Sequence, residues 1–63
     1  MNNIRAYRVR AGITQEQLAQ MINKSTASIS LYESGFHIPP IPVAKAIGKA
    51  LGCEWQKLFD EDG

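Results

Sequence analysis

The sequence predicts an all-α domain of five short helices, and three observations indicate that fold class. Apolar residues recur three and four positions apart along several segments, which is the periodicity of an amphipathic helix. Residues that start and stop helices separate these segments, and Gly12, Gly35 and Gly52 are each expected to end one. No segment alternates apolar and polar residues over the length of a strand, so no sheet is expected.

The first two helices are delimited by polar residues and glycine. The first is expected to begin at residues 2–3 and to end at Gly12. Thr14, with Gln17 three residues later, has the form of a capping box that starts the second helix. Asn23 is expected to end that helix, because asparagine tolerates the left-handed backbone conformation. The apolar residues at helical spacing here are Ile4, Tyr7, Ala11, Leu18, Ala19 and Ile22.

The remaining helices are expected on either side of a proline-rich loop. Ser25 can cap a third helix that runs to about Ser34. The run FHIPPIP is then a loop, because prolines in such close succession cannot lie inside a helix. Pro42 suits the first turn of a fourth helix, and residues 54–59 form a short fifth one. The inward-facing residues are expected to be Ile29, Tyr32, Val43, Ala46, Ile47, Ala50, Leu51, Trp55, Leu58 and Phe59.

Length and composition limit the classes of function. The 63 residues make one domain, and a chain of this size buries only about 60% of its unfolded surface. The single cysteine excludes an internal disulfide, and no Cys/His spacing indicates a metal site. No apolar run approaches the roughly 20 residues of a membrane span, and no signal peptide is evident. We therefore expect a cytoplasmic protein that is not an enzyme and binds no cofactor, metal or small molecule.

Charge is distributed unevenly along the chain, although the net charge is only +1. Arginine and lysine predominate up to Cys53, and acidic residues predominate over residues 54–63. This mildly basic body permits nucleic-acid binding but does not require it.

Two of the expected helices, over residues 15–22 and 26–34, are joined by a three-residue turn, which is the helix-turn-helix arrangement. The run TQEQLAQMINKSTASISLYESG resembles the phage-repressor helix-turn-helix family of the Cro/CI or Xre type. The family pattern is T-Q-x-x-L-A, a turn, and then S-x-x-x-I-S-x-x-E-x-G. The residues that match it are Thr14, Gln15, Leu18, Ala19, Ser25, Ile29, Ser30, Glu33 and Gly35.

The resemblance extends over residues 4–59, nearly the whole chain. Pro39 occupies the position of the family's proline after the third helix, and AIGKALGCEWQKLF is similar to the family's closing segment. The resemblance implies one compact, five-helix, lambda-repressor-like DNA-binding domain over residues 1–63. Its helix-turn-helix would lie at about residues 15–34, and its acidic C-terminal tail at about residues 60–63.

Three positions depart from the family pattern. Asn23 replaces the turn glycine, which its tolerance of the left-handed conformation allows. Lys24 replaces an apolar turn residue, and Thr26 replaces the Arg or Gln that relatives often carry at the start of the third helix. That helix therefore lacks the bidentate contacts to guanine or adenine that are worth about 1–3 kcal/mol of discrimination each.

The resemblance implies that the third helix enters the major groove of DNA. Serine and threonine can bond to several base edges, and small apolar groups can contact a thymine methyl. Part of the specificity is then expected from DNA shape and dimer spacing. Gln15 is expected to bind a phosphate. The alternative is that Gln15 and the hydroxyl side chains of the third helix merely face solvent. The implied DNA-binding residues are Gln15, Lys24, Ser25, Thr26, Ala27, Ser28, Ser30, Leu31, Ser34 and His37.

Two further sets of residues follow from the resemblance. Arg8 and Glu33 occupy positions that form an ion pair between the first and third helices of the family, so we assign them a structural role. Relatives often dimerise through the last helix and the loop before it. The first expected dimer interface comprises Cys53, Glu54, Trp55 and Phe59, and the second choice is Phe36 with Ile38.

The function implied by the resemblance is sequence-specific binding of double-stranded DNA by a transcriptional regulator of bacterial or phage origin. We expect a repressor that binds a partly palindromic operator as a homodimer. Phage switch, restriction–modification controller, antitoxin and housekeeping regulator all remain open, and the shortness of the chain favours a Cro-like or controller-like protein. The alternative is a protein-interaction module of the same fold, because Leu31 and Phe36 have no evident place in the core.

Overall fold

The computed structural model describes residues 2–60, which form four α-helices and one 3₁₀ helix. The α-helices are α1 (Ile4–Ala11), α2 (Gln15–Met21), α3 (Thr26–Ser34) and α4 (Ile41–Leu51), and the 3₁₀ helix is Trp55–Phe59. Residues 2–60 contain no strand, and none of their helices is long and apolar enough to cross a bilayer. Glu61 and Asp62 of the expected acidic tail lie outside the described residues.

The expectation of five helices is confirmed in part, because residues 2–60 form four α-helices and their last helical element is a 3₁₀ helix. The Lys57 N–H donates to the Glu54 carbonyl at 3.0 Å, and the Asp60 N–H donates to the Lys57 carbonyl at 3.3 Å. Bonds between residues three apart define a 3₁₀ helix. A five-residue segment offers too few bonds between residues four apart to offset the entropy of nucleating an α-helix.

The signals at the two ends of α2 are confirmed, whereas α1 begins at Ile4, one or two residues later than expected. The Thr14 hydroxyl accepts from the Gln17 N–H at 3.0 Å, and the Gln17 side chain accepts from the Thr14 N–H at 2.8 Å, which completes the capping box. Asn23 adopts the left-handed conformation, with φ of 59°. α2 ends at Met21, one residue earlier than expected, because Ile22 is already its C-cap.

The core receives one fully buried large side chain from every helical element. These residues are Ile4 of α1, Leu18 of α2, Ile29 of α3, Ile47 of α4 and Leu58 of the 3₁₀ helix. α2 packs mainly against α3, and α4 packs mainly against the 3₁₀ helix. The start of α1 is bonded to the 3₁₀ helix as well, since the Asn3 N–H donates to the Leu58 carbonyl at 2.7 Å. Removal of any one of these buried side chains would therefore affect the whole domain.

α4 approaches the following segment so closely that only glycine fits at position 48. A Cβ atom on Gly48 would lie 2.9 Å from the Cys53 carbonyl oxygen and 2.9 Å from the Trp55 Cα. Both atoms belong to the backbone, so neither can swing aside as a flexible side chain would. The Cys53 N–H also donates to the Gly48 carbonyl at 2.9 Å, which holds the two segments together.

Candidate nucleic-acid interface

The turn between α2 and α3 is held by backbone and side-chain hydrogen bonds. The left-handed Asn23 reverses the chain after α2, and the Lys24 N–H donates to the Ala19 carbonyl at 2.8 Å. Ser25 then caps α3, because its hydroxyl accepts from the Ser28 N–H at 3.1 Å. These bonds set the orientation of α3 relative to α2 without a bound ligand.

α3 divides into a buried face and an outward face. Ile29 is fully buried and Glu33 is nearly so, whereas Tyr32 is half-buried against the core. Leu31, expected to face outward, is half-buried. The exposed residues of α3 are Thr26, Ala27, Ser30 and Ser34. The outward face of α3, which we define as these four residues and Leu31, is small, neutral and rich in hydroxyls.

The five hydroxyl residues in and next to α3 have different roles. Besides capping α3, the Ser25 hydroxyl lies 3.0 Å from the Ser28 hydroxyl. Ser34 donates to the Leu31 carbonyl at 2.9 Å and accepts from the Phe36 N–H at 3.2 Å. Thr26 and Ser30 are exposed, and their hydroxyls make no hydrogen bond to any atom of residues 2–60. These two hydroxyls are therefore the ones available to an external partner.

The Gln15 side chain, at the start of α2, is hydrogen-bonded to α3 and does not extend freely into solvent. Its amide nitrogen donates to Glu33 Oε1 at 3.0 Å, and the side chain is half-buried. One amide hydrogen and the carbonyl oxygen remain for another partner. The neighbouring Glu16 is exposed in the first turn of α2 and places a negative charge there.

Arg8 and Glu33 form an ion pair between α1 and α3, with Arg8 Nε and Glu33 Oε2 at 2.5 Å. Arg8 Nη1 also donates to the Ile13 carbonyl at 2.8 Å. The two side chains are 12% and 5% exposed, so the pair is largely screened from solvent. Because Gln15 bonds to the same carboxylate, one acidic group connects α1, α2 and α3.

Few basic groups surround the outward face of α3. Lys24 is exposed in the turn, and the guanidinium of Arg10 lies 5.1 Å from the centre of the Tyr7 ring on α1. In the loop after α3, the rings of Phe36 and His37 stack at 5.3 Å. That loop exposes apolar surface, since Phe36 is 77% and Ile38 82% exposed.

Comparison with known proteins now identifies the fold. The profile of the family described as "Helix-turn-helix" matches residues 4–58, which include all four α-helices. The chain belongs to this helix-turn-helix family, of the Cro/CI or Xre type. The match runs from the buried Ile4 to the buried Leu58, so it covers the complete core of the domain.

Two curated relatives of this helix-turn-helix domain carry the same designation. The chain is 36% identical to an "Uncharacterized HTH-type transcriptional regulator" of Methanothermobacter thermautotrophicus, over 95% of this chain and 91% of the relative. It is 33% identical to the "Uncharacterized HTH-type transcriptional regulator YqaF" of Bacillus subtilis, over 86% of this chain and 71% of the relative. No solved structure matches the chain significantly. The family is thus one of transcriptional regulators.

The helix-turn-helix domain uses part of the expected dimer interface in its own packing. Trp55 and Phe59 are half-buried against the core, and their rings meet edge to face at 6.4 Å between centroids. Cys53 is half-buried as well, and burial raises the pKa of its thiol. Glu54 is exposed. Only the remaining exposed parts of these side chains are available for contact with another molecule.

The sequence pattern does not indicate Arg5 and Val9 of α1 as site residues. Both residues are exposed and line two shallow clefts beside α3, each of which is also lined by Gln15. One cleft reaches Thr26, and the other reaches Ser30. Their spacing of four residues puts Arg5 and Val9 on one side of α1, but only the packed structure places that side next to α3.

Proposed function

We propose that this helix-turn-helix domain is a sequence-specific double-stranded DNA-binding repressor that binds a partly palindromic operator as a homodimer. The observation that carries the proposal is the outward face of α3, whose Thr26 and Ser30 hydroxyls have no internal partner. A hydroxyl that the fold does not use, on a helix oriented by a fixed turn, is suited to a base edge in the major groove. Membership of a family of transcriptional regulators supports this role.

Direct contacts to bases are proposed for the outward face. Thr26 and Ser30 bond to base edges, and Ala27 with Leu31 contacts thymine methyl groups. None of these contacts is bidentate, so DNA shape and the spacing of half-sites, about 34 Å apart, supply part of the specificity. Ser25, Ser28 and Ser34 remain proposed contacts at the ends of this surface, although each also makes an internal hydrogen bond.

Contacts to the DNA backbone are proposed for three residues around α3. Gln15 has one amide hydrogen beyond its bond to Glu33 and can donate it to a phosphate. Lys24 contributes a positive charge from the turn, and His37 approaches from the loop after α3. Phosphate contacts position the protein but carry no sequence information, so they account for affinity.

The proposed dimer is formed by the end of the chain. The exposed portions of Cys53, Glu54, Trp55 and Phe59 are our first choice, and Phe36 with Ile38 is the second. A two-fold dimer places one α3 on each half-site, which explains why the operator should be partly palindromic. The protein would act in the cytoplasm, where promoter DNA is accessible to it, and occupancy of the promoter would repress transcription.

The proposal is tested by fluorescence anisotropy with labelled duplex DNA of random sequence at about 50 and 200 mM salt. Contact with several phosphates per monomer predicts a steep loss of affinity between these concentrations. Steep salt dependence would support the proposal and lead to selection of the operator from random sequences. A folded sample that binds no DNA at either salt concentration would contradict it.

The second candidate function is a protein-interaction module, as in an antitoxin, and the exposed Phe36 and Ile38 favour it. The two functions are separated by Gln15→Ala and Leu31→Ala, each with a thermal melt to establish folding. On duplex DNA of random sequence, affinity depends on phosphate contacts rather than on the thymine contact of Leu31. Affinity for such DNA that falls with Gln15→Ala and largely survives Leu31→Ala supports the DNA-binding function. The reverse pattern, with partner capture lost in Leu31→Ala, supports the protein-binding function.

A further inference from the structure

The outward face of α3 carries no basic residue, so the charge that attracts DNA to it must come from elsewhere. Arg8 is near but is paired with Glu33. Arg5 of α1 is exposed and makes no ion pair or hydrogen bond with residues 2–60. It lines both clefts between α1 and the helix-turn-helix, next to the free hydroxyls of Thr26 and Ser30.

We propose that Arg5 binds a DNA phosphate at the edge of the outward face of α3, an inference that rests on the proposed DNA-binding function. A guanidinium on a flexible side chain can reach a phosphate flanking the groove while α3 lies inside it. Arg5 thereby supplies a positive charge that α3 itself lacks.

The charges around Arg5 favour the cleft that Ser30 and Ser34 line. The other cleft is lined by Glu16, whose exposed carboxylate would repel a phosphate. The Ser30 cleft contains one carboxylate, that of Glu33, and Arg8 and Gln15 already bond to it. A phosphate there meets the positive charge of Arg5 without an uncompensated negative charge.

Arg10 provides a matched control on the same helix. It is also an exposed arginine, but five residues further on, which turns it by about 140° around the helix axis. It lines neither cleft, and its guanidinium lies over the Tyr7 ring instead. Arg5→Gln and Arg10→Gln change the net charge equally, so a difference between them reports position rather than total charge.

The test measures anisotropy with two labelled duplexes of unrelated sequence between about 50 and 200 mM salt. For Arg5→Gln, the slope of log affinity against log salt should become shallower by about 0.9 per monomer. The affinity ratio between wild type and variant should then shrink about 3.5-fold across this salt range, equally for both duplexes. Arg10→Gln and Arg5→Lys should keep the wild-type slope, and thermal melts should show all three variants folded.

Two results would overturn the inference while the wild type still binds DNA. One is an unchanged salt slope in Arg5→Gln. The other is a loss of affinity confined to one duplex, which would assign Arg5 to base recognition instead. If the wild type binds neither duplex, the proposed function itself fails, and the assignment of Arg5 fails with it.

Discussion

Arg8 and Glu33 are joined by an ion pair of 2.5 Å that lies almost out of contact with solvent, and Gln15 donates to the same carboxylate at 3.0 Å. The ion pair connects α1 to α3, and the hydrogen bond from Gln15 connects α2 to the same carboxylate. A single acidic side chain thus holds the orientation of the helix-turn-helix. The ion pair is consequently part of the scaffold on which the proposed DNA contacts depend.

Glu33→Ala should unfold a large fraction of the molecules and abolish DNA binding for that reason. Removing one member of a buried pair leaves an uncompensated charge, which costs about 3–5 kcal/mol. A domain of 63 residues has a free energy of unfolding of roughly 3–9 kcal/mol in total. Circular dichroism during thermal and urea unfolding measures the change. Glu16→Ala is the control, since an exposed carboxylate in the first turn of a helix contributes about 1 kcal/mol or less to the free energy of unfolding. A Glu33→Ala protein with native-like stability would contradict the scaffold role.

Gly48→Ala should destabilise the domain even though alanine favours helices. The gain in helix propensity is about 1 kcal/mol. Against it, the new Cβ would meet the backbone of Cys53 and Trp55 at 2.9 Å, and overpacking of this kind costs about 1–3 kcal/mol or more. The melting temperature should fall, whereas that of the adjacent exposed Lys49→Ala should hardly change. A Gly48→Ala protein more stable than the wild type would show that α4 can move away from the 3₁₀ helix.

Substitutions of the hydroxyl residues should separate recognition from folding. Ser30→Ala and Thr26→Val should weaken binding to a selected operator, while their free energies of unfolding stay within about 0.5 kcal/mol of wild type. Ser25→Ala should lower the free energy of unfolding by about 1 kcal/mol, because it removes the cap of α3. The measurements are operator anisotropy and thermal melting. Wild-type affinity in both Ser30→Ala and Thr26→Val would exclude these hydroxyls from recognition.

Replacing thymine by uracil in a selected operator tests the apolar part of the outward face. Loss of a methyl group that Leu31 contacts should reduce the affinity of the wild-type protein for the operator, because the apolar surface of that methyl group is no longer buried. Leu31→Ala should bind both DNAs nearly equally, since its methyl contact is already gone. A double-mutant cycle gives the coupling free energy. Coupling within error of zero at every thymine would remove Leu31 from the recognition surface.

Cys53 should react slowly with thiol reagents in the folded state. Burial raises the pKa of the thiol above its ordinary value of 9.0, so less thiolate is present at a given pH than in the unfolded chain. Because the folded protein binds this proton more tightly than the unfolded chain does, the raised pKa favours folding at pH values below the pKa of the unfolded thiol. That contribution is lost as the pH rises through the folded pKa. Reaction rates in native buffer and in urea, measured across alkaline pH, check this, and equal rates would contradict it.

Local chemistry made most of the fold predictable. Thr14 with Gln17, Ser25 and the left-handed Asn23 act within a few residues of their own positions, so the helix ends they define follow from neighbouring residues. The 3₁₀ helix was not predictable in the same way. Its apolar spacing suits either kind of helix, so the pattern alone does not distinguish them.

The candidate site was predictable only in outline. The family pattern implies that the third helix is the recognition element, but it does not distinguish Ser28, whose hydroxyl bonds to Ser25, from Ser30, whose hydroxyl makes no hydrogen bond within residues 2–60. It also places Gln15 at the start of α2 without showing that its amide already donates to Glu33. Hydrogen bonds across helices depend on side-chain directions, which a pattern of residue types does not specify.

The sequence by itself determined the helical class, the helix boundaries to within about two residues and the family of this protein, because caps, turns and apolar periodicity act over short stretches of chain. Only the tertiary structure decided that position 48 must be glycine, that Thr26 and Ser30 hold the free hydroxyls, and that Arg5 lies beside them. The glycine at position 48 and the place of Arg5 depend on the approach of segments that are distant in sequence, whereas the free hydroxyls depend on local side-chain directions that residue types do not specify. The relative placement of the distant segments follows from burying five apolar side chains in one common core.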